Sequence, residues 1–274
     1  MERILWKAGL GAGVLLALPI ALLAPAVPSE QKKAPFFGQN IAHRGLFTAD
    51  QRIPENSLAA FRRAVEAGYG VELDVQLSRD GQVVVFHDDD LKRVCGVDAP
   101  VDALDYAELQ VLPLCGTGER MPLFSEVLQL VDGRTPMIVE LKNGRRNREL
   151  CEKTLALLRA YSGPYCIESF NPTIVAWFRF HAPDLLRGQL AMPPQHYGKS
   201  ERERRRGVVL GNTLLNFLAR PEFIAYEIGP KPLPVKLAEA MGAMKVGWTS
   251  HDRASEQGRD TVIFEHYEPP VKYK

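Results

Sequence analysis

Eight short apolar runs alternating with helical patterns, from Asn40 to the C-terminus, predict an α/β protein built as a (β/α)8 TIM barrel. Two further observations favour that class. No glycine-rich dinucleotide fingerprint follows the first run, which argues against a doubly wound open sheet. Chemistry-bearing side chains recur at the C-terminal ends of the runs, where a barrel assembles its site.

The runs are 40–43 (NIAH), 71–77 (VELDVQL), 137–142 (MIVELK), 165–170 (YCIESF), 186–191 (LRGQLA), 223–228 (FIAYEI), 244–249 (MKVGWT) and 261–266 (TVIFEH). Between them the spacing predicts helices over 57–67, with Asn56 as N-cap, and over 124–131, 148–161, 173–181 and 235–241. In the second run Val71, Leu73, Val75 and Leu77 alternate with Glu72, Asp74, Gln76 and Ser78. A period of two puts Glu72 and Asp74 on one face, about 7 Å apart. Asp80-Gly81 then predicts a two-residue hairpin turn, pairing Arg79 with Gln82 and setting His87 opposite Asp74. The hairpin and the segment 89–122 form an excursion between the second strand and its helix.

The chain has 274 residues, 46% hydrophobic and 24% charged, an ordinary globular balance sufficient for one large domain. A net charge of +1 leaves no electrostatic footprint for nucleic acid. The N-terminus reads apart from the rest. Arg3 and Lys7 precede an uncharged run at 8–28, 21 residues long, which is long enough to span a bilayer. Ala24-Pro25-Ala26 also offers a signal-peptidase site. Residues 1–35 are therefore expected to be a signal peptide or a membrane anchor with a short linker. Residues 36–274 are the barrel domain, membrane-anchored or secreted on the extracytoplasmic side. Cys95, Cys115, Cys151 and Cys166 form no C-x-x-C motif. They read as buried free thiols, with a 95–115 disulfide as the alternative in an exported chain.

The strand ends collect His43, Arg44, Glu72, Asp74, Glu140, Lys142, Ser169 and Trp248, and the hairpin adds His87. Three carboxylates at one mouth, Glu72, Asp74 and Glu140, repel one another unless protonated or bridged by a cation. All-oxygen ligation suits a hard divalent ion, Mg²⁺ or Ca²⁺. Arg44 and Lys142 beside them suit a phosphoryl group. His43 and His87 titrate near neutrality, as a proton donor and acceptor must. Together these groups point to phosphodiester cleavage. Trp248 would either stack on a substrate at the mouth or pack in the barrel. Two features read as ordinary surface. Residues 199–206 (KSERERRR) form a solvated helix face with internal Glu–Arg pairs, and His251 is a loop histidine.

HRG at 43–45, PENS at 54–57, ELDVQLSRDG at 72–81, VVFHDDDLKR at 84–93, ELK at 140–142 and SF at 169–170 resemble the glycerophosphodiester phosphodiesterase family, over about 41–265. The resemblance implies a metal-dependent barrel that hydrolyses glycerophosphodiesters to glycerol 3-phosphate and an alcohol. Residue by residue, it implies His43 and His87 as the acid–base pair and Glu72, Asp74 and Glu140 as ligands of Ca²⁺ or Mg²⁺. It implies Arg44 and Lys142 as phosphate contacts, and Glu55 in a supporting role rather than a helix-capping one. The segment 89–122 would cover the glycerol side. The chain departs from the family at its last strand, where Glu265 stands in the region of a usual Thr-Asp pair and reads as variation at the rim. Two other functions compete: a phospholipase acting on lysophospholipids or related lipid diesters, and a barrel that binds polyol phosphates without turnover.

Overall fold

The computed structural model describes residues 21–274. Its strands are β1 (Gln39–Ala42), β2 (Gly70–Leu77), β3 (Val83–Val85), β4 (Met137–Leu141), β5 (Tyr165–Ser169), β6 (Arg187–Ala191), β7 (Phe223–Glu227), β8 (Met244–Ser250) and β9 (Thr261–Phe264). Every strand but β3 is parallel to its neighbours. The sheet closes because β1 pairs with both β2 and β9. The eight-stranded barrel expected from the alternating runs is therefore the observed architecture, with β3 antiparallel on β2 as the hairpin.

Alternation along the strands builds two cores. Ile41, Ile138, Cys166, Leu190, Phe223 and Val246 fill the barrel interior. Val71, Leu73, Val75 and Val139 point outward and meet helix faces such as Phe61, Ala64, Val127 and Val131. Gly188 on β6 makes room for the interior: a Cβ there would lie 2.0 Å from the Phe223 ring. The excursion after β3 carries a small core of its own, with Val84, Phe86, Leu91, Val94, Leu109 and Met121 buried together.

Two local expectations are corrected. The helix Leu58–Glu66 is capped by Ser57, not Asn56; the Ser57 hydroxyl accepts the Ala60 N–H at 3.1 Å. Asn56 sits one residue earlier with φ +54 and turns its amide into the barrel. The hairpin loop is also one residue longer than a two-residue Asp-Gly turn. Ser78 N–H donates to Gln82 O at 3.0 Å, and the ladder pairs Leu77 with Val83 and Val75 with Val85. Arg79, Asp80 and Gly81 make the loop, and Gly81 supplies the left-handed residue at φ +80 that such loops require. Phe86, not His87, therefore stands opposite Asp74, and its N–H donates to Asp74 O at 3.0 Å. A one-residue slip exchanges the faces of a strand, so His87 does not reach the mouth by cross-strand pairing. It reaches it because β3 has already ended at Val85.

Residues 1–20, which hold most of the apolar N-terminal run, lie outside the described residues. The end of that run rests on the barrel. Ala26 N–H donates to Pro221 O at 3.0 Å, Arg220 donates to Ala24 O at 2.6 Å, and Asn216 donates to Leu23 O at 3.1 Å. Among the described residues no helix is long and apolar enough to cross a membrane. All four cysteines are free thiols; Cys151 and Cys166 are buried, while Cys95 and Cys115 are partly exposed and form no disulfide.

Candidate active site

Inward positions of β2 and β4 carry Glu72, Asp74 and Glu140, all buried. One carboxylate oxygen from each lies within 4.8 Å of the others. The parallel register explains the convergence: Asp74 pairs with Glu140, and Glu140 with Glu168 on β5. These three stand at one level of the barrel. Glu72 lies a level deeper, beside Ile138. Burial, followed by repulsion from Asp74, Glu140 and Glu168, raises the Glu72 carboxyl well above its usual range. Burial also raises Glu140, and Asp74 adds to it against the pull of Lys142. Burial opposes ionisation of Asp74 too, but Lys142, His87 and Arg44 together hold its carboxyl below the usual range.

Two cations lean on this cluster. Lys142 Nζ lies 3.0 Å from Glu140 and 3.3 Å from Asp74. Burial works against its charge, yet those carboxylates outweigh it and hold the ammonium above its ordinary value. Arg44 occupies the left-handed region at φ +52, a conformation that costs a non-glycine residue about 1–3 kcal/mol. The turn lets its N–H donate to Glu72 Oε2 at 2.9 Å while its guanidinium bonds Glu55 at 2.7 Å and faces Asp74 at 3.6 Å. The atom nearest Asp74 is Arg44 Nε, which is buried and makes no hydrogen bond. Asn56 completes the frame, donating to Asp74 Oδ2 at 2.9 Å.

Each histidine engages a carboxylate through Nδ1. His43 Nδ1 is 2.6 Å from Glu265 Oε2, and its Nε2 faces Glu72 at 4.0 Å. Burial lowers the His43 pKa; the bond to Glu265 opposes that shift, and Arg44 reinforces it. His87 Nδ1 is 2.7 Å from Asp88 Oδ1. Arg93 clamps Asp88 at 2.6 Å and 3.0 Å and grips Glu55 at 2.9 Å and 2.7 Å. Glu55 thus bridges Arg44 and Arg93 and caps no helix. Burial would raise its carboxyl, but the two arginines pull it below the usual range.

A cavity of about 670 Å³ opens beside Lys142, between the excursion and the loop after β4; Gln76, Asp89, Asp102, Arg145 and Asn147 help to line it. His43, Arg44, Glu55, Glu72, Asp74, His87, Glu140 and Lys142 therefore meet at one end of the barrel. Trp248 stands partly exposed near the end of β8. Its Nε1 donates to Ala225 O at 3.0 Å and its ring packs edge-on against Phe170, capping the interior core. Ser169 is spent on Leu141 O at 2.7 Å. Residues 201–206 lie in the capped helix Glu201–Gly211, where Arg205 pairs with Glu201 as a solvated face should.

A family model described as the glycerophosphoryl diester phosphodiesterase family matches residues 43–265, a span that starts and ends on the hydrogen-bonded pair His43 and Glu265. The chain belongs to that family. Among relatives of this phosphodiesterase-family chain, lysophospholipase D of Rattus norvegicus is 36% identical over 163 residues, 54% of this chain and 50% of the relative. Glycerophosphodiester phosphodiesterase of Caldanaerobacter subterraneus subsp. tengcongensis is 38% identical over 113 residues, 38% of this chain and 45% of the relative. The chain thus spans about half the length of these relatives. A glycerophosphodiester phosphodiesterase structure from Thermotoga maritima superposes with TM-score 0.62 at 26% identity, covering 82% of this chain and 92% of that one. A phosphodiesterase of Oleispira antarctica, solved with the product sn-glycerol-3-phosphate, shares the fold with TM-score 0.67 at 24% identity, covering 85% and 94%.

Four residues of this family member stand at the site without having been marked from sequence. Asp88 and Arg93 lie within the VVFHDDDLKR motif but carry no signal beyond charge. Asn56 reads from sequence as a helix cap. Glu168 was legible, since period two on β5 puts Cys166 and Glu168 inside and the parallel register sets Glu168 beside Glu140. It is buried, its Oε2 makes no hydrogen bond, and burial with repulsion from Glu140 and Asp74 raises its carboxyl well above the usual range. Glu265 is more than rim variation, since it holds His43. Glu265→Gln is expected to lower kcat about 10- to 100-fold. Glu265 raises the proton affinity of His43, so the pH limb that titrates His43 should move to lower pH in the variant. A wild-type kcat and pH profile would show that the bond is idle.

Proposed function

We propose that the protein hydrolyses glycerophosphodiesters to glycerol 3-phosphate and an alcohol, with Ca²⁺ or Mg²⁺ held by Glu72, Asp74 and Glu140. The observation that carries this reading is the gathering of three buried carboxylates within 4.8 Å, beside Lys142 and Arg44 and between two histidines. The donor set fits a hard cation. It is all oxygen, and burial and mutual repulsion leave Glu72 and Glu140 reluctant to ionise unless positive charge is supplied. Bound there, a divalent ion would neutralise a phosphate oxygen and the charge that develops on it.

The remaining chemistry belongs to the chain. Lys142 and Arg44 supply fixed positive charge for a phosphate, with no reorganisation needed at the moment of reaction. With Nδ1 of each histidine on a carboxylate, Nε2 is the nitrogen free to take or give a proton. His43 and His87 act as the pair that deprotonates the attacking oxygen and protonates the departing alkoxide. The cavity beside Lys142 gives one ester arm of the diester a place to lie. The product seen with the Oleispira antarctica phosphodiesterase is the one expected here.

A second reading, cleavage of lysophospholipids, draws on the similarity to lysophospholipases D. One assay separates the two. The purified protein with Ca²⁺ or Mg²⁺ is expected to release glycerol 3-phosphate from sn-glycero-3-phosphocholine, and EDTA to stop it. Turnover confined to lysophosphatidylcholine vesicles would favour the second reading. No release from either substrate would leave a barrel that binds polyol phosphates without turnover.

A further inference from the structure

We propose that Gln76 is a positioning residue that fixes His87 by clamping the peptide carbonyls on either side of it. The inference rests on the reading of His87 as a proton-transfer group. Gln76 Nε2 donates to Phe86 O at 2.8 Å and to Asp88 O at 2.9 Å, so both N–H groups of one amide bracket a single residue. Gln76 stands two residues beyond Asp74 on β2, on the polar face that also carries Glu72. The clamp thus ties the carbonyls around His87 directly to the strand that presents the carboxylates.

The need for it follows from the hairpin register. The β2–β3 ladder ends with Val75 opposite Val85, and the last backbone bond before His87 is Phe86 N–H to Asp74 O at 3.0 Å. Among the described residues no strand pairing holds His87 or Asp88. The imidazole has a separate brace, the Asp88 carboxylate gripped by Arg93. That brace orients the ring but leaves the peptide on which the ring is mounted unanchored. Gln76 supplies the missing restraint, and few side chains can replace it. Methionine has similar length and no donor. Glutamate has the same shape but would set negative charge against two carbonyl oxygens.

Gln76 also lines the cavity beside Lys142, so the test must separate a positioning role from direct contact with substrate. A double-mutant cycle with His87 does this. Gln76→Met in the full chain is expected to lower kcat about 10- to 100-fold, with KM changed less than about threefold. Metal affinity and melting temperature should stay near wild type. In a His87→Ala background the same substitution should cost nothing further, because there is no imidazole left to position. Wild-type kcat in Gln76→Met, or the same loss in the His87→Ala background, would overturn the proposal. Undiminished activity in His87→Ala itself would instead remove the role of His87, a distinct result. If Gln76→Met does not fold, Gln76→Asn, whose amide stops one methylene short of the carbonyls, takes its place in the cycle with the same expected pattern.

Discussion

Replacing Glu72 with glutamine is expected to abolish activity and, at the same time, to stabilise the metal-free protein. The two effects share a cause. Glu72 lies under the cluster and accepts a hydrogen bond from Arg44 N–H, and burial and three neighbouring carboxylates disfavour its charge. Its pKa in the folded state is therefore raised above the unfolded value. Without metal, the stability tied to this group is fully present below the ordinary carboxylate range and is lost as pH rises through the folded value. Glutamine keeps the shape and removes that loss. At neutral pH in EDTA the melting temperature should rise by about 2–4 °C, the shift that about 1 kcal/mol gives a chain of this size. The same change removes a ligand charge that a divalent cation needs, and kcat/KM should fall by about 10³-fold or more, roughly 4 kcal/mol of transition-state stabilisation. A stability gain bought with lost function is the usual mark of a residue kept for chemistry. A variant that melts lower in EDTA, or that keeps its activity, would show that Glu72 serves the fold instead.

His43→Ala should be equally damaging by a different route. The substitution removes the Nε2 that faces Glu72 and leaves Glu265, 2.6 Å from the former Nδ1, without its partner. No other histidine takes that place: His251 and His266 approach the other Glu265 oxygen, at 3.8 Å and 3.6 Å. General acid–base catalysis is typically worth 10²–10⁴-fold, so kcat should fall by about 10³-fold while metal binding survives. Added imidazole should restore part of the rate in the alanine variant. A loss of less than about tenfold would refute the role given to this residue.

Much of this was legible in the chain because it depends on periodicity. The alternation Val71, Glu72, Leu73, Asp74 fixes which side chains enter the barrel, and parallel pairing carries Asp74 level with Glu140. Residues that need only a strand and a face, such as Glu72, Asp74, Glu140 and Lys142, were found from that rule, and the same rule applied to β5 would have found Glu168. What escaped depends on single-residue loop geometry. The three-residue loop at Arg79, Asp80 and Gly81 shifts the hairpin register by one, and no periodicity distinguishes it from a two-residue Asp-Gly turn. Asn56 and Arg44 adopt left-handed backbone that sequence gives no reason to expect of them. Glu265, the partner of His43, comes from a distant segment, whereas Asp88 and Arg93 lie close after His87 in sequence and carry no signal beyond charge. Trp248 lies on a strand end as read, with its Nε1 donating to Ala225 O.

The central claim is that Glu72, Asp74 and Glu140 hold one divalent cation that the reaction requires. Calorimetric titration of Ca²⁺ or Mg²⁺ into the metal-free protein, at about pH 6 and about pH 8 in buffers of different ionisation enthalpy, tests it most directly. Because Glu72 and Glu140 are raised in the metal-free state, binding should have a stoichiometry of one, release protons at the lower pH, and tighten as pH rises, with hydrolysis following the bound fraction. Absence of binding, or affinity that does not change with pH in a protein whose activity survives EDTA, would contradict it.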